Sequence, residues 1–121
     1  PGKSTYLKGN WEEYSKNLLE SYLNQGSPVF VNAHAAWCTN CKVNEATVLS
    51  KEDILKAFKN KGVKLLHADY TQEDAAIAAL LEDLGRAGVP AYALYTPEKK
   101  TPTVFPELLT KQMIFSALKD L

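Results

Sequence analysis

The 121-residue chain predicts an α/β fold, a central mixed β-sheet flanked by helices on both faces. Three observations carry that expectation. Short β-rich apolar runs alternate with stretches of three-four apolar spacing, the pattern of strands separated by helices. One run, Val29-Phe30-Val31-Asn32-Ala33-His34, is apolar on both faces apart from Asn32 and His34, as a central strand covered from both sides must be. The last two strand-like segments are joined by a polar turn and must pair antiparallel, whereas strands separated by helices pair parallel.

Taken in order, residues 10–25 place Trp11, Tyr14, Leu18 and Tyr22 on one helical face, with Asn10 as the expected N-cap and Gly26 as the stop. The central strand follows Ser27-Pro28. A second helix is expected from Cys38 to about Leu49, and Ser50-Lys51-Glu52-Asp53 reads as a fresh cap opening a third, which Gly62 ends. Val63 to Tyr70 is the second strand. Thr71 with Asp74 is expected to cap an alanine-rich helix from Ala75 to Leu84. After the breaker Gly85-Arg86-Ala87-Gly88-Val89-Pro90, Ala91 to Tyr95 and Thr103 to Phe105 form a hairpin limited by Pro102 and Pro106. The final helix spans Thr110 to Leu121. The length is expected to make one domain of residues 1–121, with 1–9 as a linker or flexible segment.

Fourteen basic and fourteen acidic residues balance, which leaves no electrostatic footprint for nucleic acid or an anionic membrane. No apolar run approaches the roughly 18–20 residues that span a bilayer, and no signal-peptide core follows the first residues. A soluble monomer is expected. The chain begins without Met, so a processed product or an excised domain is expected.

The chemical signal is Trp37-Cys38-Thr39-Asn40-Cys41-Lys42, which holds both cysteines of the chain three positions apart, between a strand and a helix. A Cys38 at the helix start faces unpaired N–H groups and the positive end of the helix dipole, which favour the reactive thiolate. Cys41, one turn on, can close a disulfide with it, so the pair can exchange two electrons with another dithiol. Zinc binding or inert thiols compete with this reading. A structural zinc needs four ligands, and the chain adds only His34 and His67 on separate strands, so no metal is expected. Both histidines are expected to be hydrogen-bonded strand residues rather than ligands or bases. Lys42 is expected to be solvated, and Asp69 to end its strand.

Strand, Trp-Cys-x-x-Cys-Lys opening a helix, then Gly-Val-Pro before a strand, a hairpin and a helix resembles the thioredoxin fold. Within it, Ala36 to Glu45, His67 to Thr71 and Gly85 to Pro90 are similar to the C-terminal periplasmic domain of the DsbD/ScsB family of transmembrane thiol-disulfide interchange proteins. The resemblance implies a thiol-disulfide oxidoreductase in which Cys38 attacks and Cys41 resolves, with the disulfide itself in place of a cofactor. It implies a membrane-embedded electron donor, a periplasmic acceptor, and a periplasmic location as a soluble domain of an inner-membrane protein. A free-standing thioredoxin-like reductase, and a non-catalytic peptide-docking or metal-binding module, are the alternatives.

The same resemblance makes Pro90 cis and gives the Val89 backbone to an extended partner segment. Trp37 then shields the disulfide or adds to the docking surface. Glu45, four residues after Cys41, is expected near the sulfurs rather than in solvent, where its charge would raise a thiol pKa. Asn32 departs from the pattern, since the family often has Asp there. An Asn cannot titrate, so a smaller rise in the thiol pKa values is expected, and any proton relay must use Glu45 or water.

Overall fold

The computed structural model describes residues 7–121. Residues 1–6, most of the expected N-terminal linker, lie outside the described residues. Leu7 packs against the core, and the Lys8 N–H donates to Ser50 Oγ at 2.8 Å.

Among the described residues, five strands, β1 (Trp11–Glu13), β2 (Val29–His34), β3 (Lys64–Asp69), β4 (Ala91–Tyr95) and β5 (Thr103–Val104), form one mixed sheet in the order β1-β3-β2-β4-β5. Strand β2 (Val29–His34) is central and wholly buried, parallel to β3 (Lys64–Asp69) and antiparallel to β4 (Ala91–Tyr95). Strand β5 (Thr103–Val104) closes the hairpin against β4. The mixed sheet expected from the sequence is therefore present.

The first element differs from the sequence expectation. Trp11–Glu13 is strand β1, paired parallel to β3, and helix α1 covers only Lys16–Asn24. Ser15, not Asn10, is the N-cap: its backbone is extended and its side chain accepts from the Leu18 N–H at 3.0 Å. Non-local pairing holds Trp11–Glu13 extended against local helical spacing, and the Trp11 ring meets Phe30 edge-on at 6.1 Å. Gly26, at φ +87°, follows the C-cap as expected.

Two other caps shift. Helix α3 (Glu52–Asn60) starts after Lys51, which makes no side-chain capping bond, while the Ser50 hydroxyl is engaged by Lys8. Helix α4 (Ala75–Asp83) is capped by Asp74, whose carboxylate accepts from the Ile77 N–H at 2.9 Å; Thr71 serves the loop described below. The second helix is also not uniform. It is α-helical over Thr39–Asn44 (α2) and π-helical over Glu45–Leu49, where the Ser50 N–H donates to the Glu45 carbonyl at 2.9 Å. Helix α5 (Lys111–Leu118) is capped by Thr110.

Alternate residues of the strands point to opposite layers. On one face Val29, Val31, Ala33, Leu66, Ala68, Ala91 and Ala93 pack against Leu19 of α1 and Ile77, Leu80 and Leu81 of α4. On the other, Phe30, Leu65, Tyr92 and Leu94 pack against the π-helical turn, α3 and α5. The cysteine motif follows the C-terminal end of β2, so the central strand positions it directly.

Candidate active site

Cys38 is the N-cap of α2, with φ −94° and ψ 107°, and its Sγ accepts from the Cys41 N–H at 3.2 Å. A turn fixed by the Cys38 N–H on the Ala35 carbonyl, at 3.2 Å, turns the chain from β2 into this helix. Cys38 and Cys41 are joined by a disulfide with Cα atoms 5.3 Å apart. Cys38 is 6% exposed and Cys41 1%. The first sulfur therefore meets the helix N–H group, as the sequence predicts, and is the more accessible of the two.

Around the pair lie Ala35, Tyr70 and Val89. The Val89–Pro90 peptide bond is cis, as the resemblance implies, and Pro90 is buried. The guanidinium of Arg86 donates to the Phe105 carbonyl, which ties this loop to the end of the hairpin. Trp37 is 53% exposed, and its indole N–H donates to the Thr71 carbonyl at 3.1 Å. Thr71 Oγ1 also accepts from the Ala36 N–H at 2.9 Å and donates to the Asp69 carboxylate. Asp69 thus does more than end its strand: through Thr71 it fastens the segment that presents Trp37 and Cys38. Lys42 is half-buried rather than fully solvated.

Glu45 is 0% exposed, so the solvated alternative does not hold. It sits one turn after Cys41, with its N–H donating to the Cys41 carbonyl. Its Oε2 accepts from Asn32 Nδ2 at 3.1 Å and lies 2.6 Å from His34 Nδ1. His34 Nε2 in turn lies 3.1 Å from His67 Nδ1, with the two rings edge to face. Asn32 is fully buried, and its Oδ1 has no hydrogen-bond partner among the described residues. Both histidines are hydrogen-bonded, as expected for them, but the bonds join them to Glu45 and to each other.

Sequence reasoning did not find this network, nor the part played by Asn44. The Asn44 side chain donates to the Tyr92 hydroxyl and the Glu107 carbonyl, both at 2.8 Å, and accepts from the Leu109 N–H at 3.0 Å. It clamps the loop before α5 to the helix that carries the cysteines. Burial holds the Tyr92 hydroxyl well above the ordinary tyrosine range, an effect that the Asn44 bond opposes and the charges of Glu45 and Glu107 reinforce. One signal was present: Asn32 and His34, two apart on one strand, share a face. Polar residues two apart in an otherwise apolar central strand call for buried partners on that side.

Among the described residues no group of three or more His, Cys, Asp or Glu side chains converges as metal ligands. The arrangement supports reversible interconversion of a disulfide and a dithiol, a two-electron exchange with another sulfur pair.

A family model described as thioredoxin-like matches residues 10–97. The chain is 35% identical over 74 residues to thiol:disulfide interchange protein DsbD 2 of Pseudomonas aeruginosa, covering 61% of this chain and 12% of that protein. To the DsbD of Escherichia coli K12 it is 32% identical over 84 residues, covering 69% and 14% respectively. The chain thus spans only about an eighth of these relatives' length. Its fold matches the oxidised C-terminal domain of Neisseria meningitidis DsbD at a TM-score of 0.67 and 17% identity, over 90% of this chain and 97% of that domain.

Proposed function

The chain belongs to the thioredoxin-like family, and from that premise we propose that Cys38 and Cys41 relay two electrons from a membrane-embedded donor domain to a periplasmic acceptor disulfide. The domain is a thiol-disulfide oxidoreductase whose partners are protein dithiols and disulfides. The direction of flow, the compartment, the partners and the residue roles are the proposal. Residues 1–121 are taken as one monomeric domain, with the cysteine pair as the carrier of electrons.

The observation that carries this reading is the Cys38–Cys41 disulfide at the start of α2, with Cys38 Sγ accepting the Cys41 N–H. On reduction the same N–H favours a Cys38 thiolate. That thiolate attacks the acceptor disulfide, a mixed disulfide forms, and Cys41 displaces the acceptor as its thiol, which regenerates Cys38–Cys41. Val89 and Pro90 dock an extended segment of the partner beside the sulfurs, and exposed Trp37 adds apolar surface. Asn32 supplies a hydrogen bond to Glu45 and no charge of its own.

Trapping tests this reading. In a periplasmic extract Cys41→Ser is expected to accumulate a mixed disulfide through Cys38 that mass spectrometry identifies, and Cys38→Ser is expected to abolish reduction of insulin. Insulin reduction by Cys38→Ser at the wild-type rate would overturn the assignment. A trapped cytoplasmic acceptor would favour a free-standing reductase instead.

A further inference from the structure

Resolution of a mixed disulfide releases a proton inside the protein. Cys41–SH attacks Cys38–S–S–R, the Cys38–Cys41 bond forms, the Cys38–SR bond breaks, and the electron pair leaves with the partner sulfur as RS⁻. The Cys41 proton must then go to a base, and the sulfur that loses it is 1% exposed. Asn32 cannot take it.

We propose that the chain Glu45–His34–His67 carries this proton, with the two imidazoles passing between the buried carboxyl and the sheet edge what a lone buried acid would have to hold. The inference rests on the exchange reading above and adds to it two histidines that reading does not use. Their geometry fits the task. Glu45 is the first carboxyl past Cys41 on its helix, one turn away. With Glu45 protonated and donating from Oε2 to His34 Nδ1, 2.6 Å away, His34 Nε2–H donates to His67 Nδ1, 3.1 Å away. The Cys41 proton passes to Glu45 Oε1 as the Oε2 proton moves to His34 Nδ1 and the His34 Nε2 proton to His67 Nδ1, so the proton gained at Glu45 is balanced by one that His67 releases outward from Nε2. Exposure rises outward along the same line: Glu45 is 0% exposed, His34 1% and His67 7%. His67 is register partner to Glu13 on β1, an exposed carboxylate at the sheet edge, which gives the chain an outer end.

Other ionisable groups flank the chain with bonds of their own. Asp69 is the register partner of His34 but is bonded to Thr71; Tyr92 on β4 is bonded to Asn44; Glu107 before α5 is bonded to Asn40; Tyr70 packs against the cysteines. His34 and His67 are positioning residues in this scheme, since both act through Glu45.

The test uses an aromatic disulfide that releases a coloured thiolate twice, once when Cys38 attacks and again when Cys41 closes the ring. The second phase is independent of reagent concentration and reads resolution alone. His34→Gln and His67→Gln are expected to slow it about tenfold near pH 6, with the deficit shrinking toward about pH 9, where hydroxide takes the thiol proton directly. Because either variant can fold poorly, the wild type supplies a second readout. Imidazole ¹⁵N spectra across pH are expected to show His34 and His67 titrating together, and at different pH with the disulfide closed and after reduction by dithiothreitol. Variant pH profiles parallel to the wild type, or identical imidazole titrations in the two redox states, would overturn the relay. Absence of a second coloured phase in the wild type would instead count against the exchange reading, and the imidazole spectra would still decide the relay.

Discussion

Val29, Val31 and Ala33 of β2 face a layer of aliphatic side chains from α1 and α4, while Phe30, Asn32 and His34, the alternate residues of the same six, face an aromatic cluster that gives way to a polar network. The first face is made largely of small and branched residues that let two helices sit close to the sheet. The second changes character along one strand, from Phe30 against Phe58, Tyr92 and Phe105 to His34 against Glu45. Period-two alternation allows this division. The chemistry can vary on one side of β2 while the packing that holds the strand in place remains on the other. A buried carboxyl and two buried imidazoles need compensating partners. Placing them beside an aromatic cluster confines that cost to one layer.

Three substitutions would break or sharpen the contrast. The largest effect is expected from Phe30→Ala, which removes the ring at the centre of the aromatic cluster. Loss of about 3–5 kcal/mol in urea denaturation, with the pH profile of exchange by the native fraction unchanged, would show that this half of the face is structural. A changed profile would merge the two halves into one functional unit. Next, Asn44→Ala leaves the Leu109 N–H and the Tyr92 hydroxyl without their bonds at a cost of about 1–3 kcal/mol. Thermal unfolding reads the cost, and faster hydrogen exchange at the Leu109 amide reads release of the loop. An unchanged amide would remove Asn44 from the clamp.

The smallest effect belongs to the aliphatic face. Burial, with the nearby Tyr14 and Asp83, pushes the Tyr95 hydroxyl up to about 12. A raised folded value means that the contribution of Tyr95 is complete below the ordinary tyrosine value near 10 and is lost as the pH climbs from there through about 12. Tyr95→Phe is therefore expected to flatten the fall in melting temperature over that alkaline interval and to leave neutral pH unaffected. A shift at neutral pH would show that the hydroxyl does more than resist ionisation.

Much of this was legible in the sequence because it depends on local pattern. The both-sided apolar run of β2, the Cys-x-x-Cys spacing and the hairpin each follow from residues adjacent in the chain. Strand β1 was not legible: Trp11-Glu12-Glu13 continues the helical spacing of the residues after it, and only pairing with β3, some fifty residues on, holds it extended. The π-helical turn was hidden because its residues read as an ordinary helix. Glu45 shows the limit most directly. Its spacing from Cys41 was visible, but its burial depends on His34 and Asn32, and no local rule brings a helix carboxyl onto those two strand positions.

The ends of the sheet have a consequence for life at high concentration. Strand β1 has three residues, two of them exposed glutamates, and β5 has two, bracketed by Pro102 and Pro106. Neither offers the long, flat row of unpaired backbone groups on which another chain could extend the sheet. A thiol-disulfide oxidoreductase meets other disulfide-bearing proteins in each round of exchange. Edges this short, one charged and the other bracketed by prolines, let it do so with little risk of templating their aggregation or joining it.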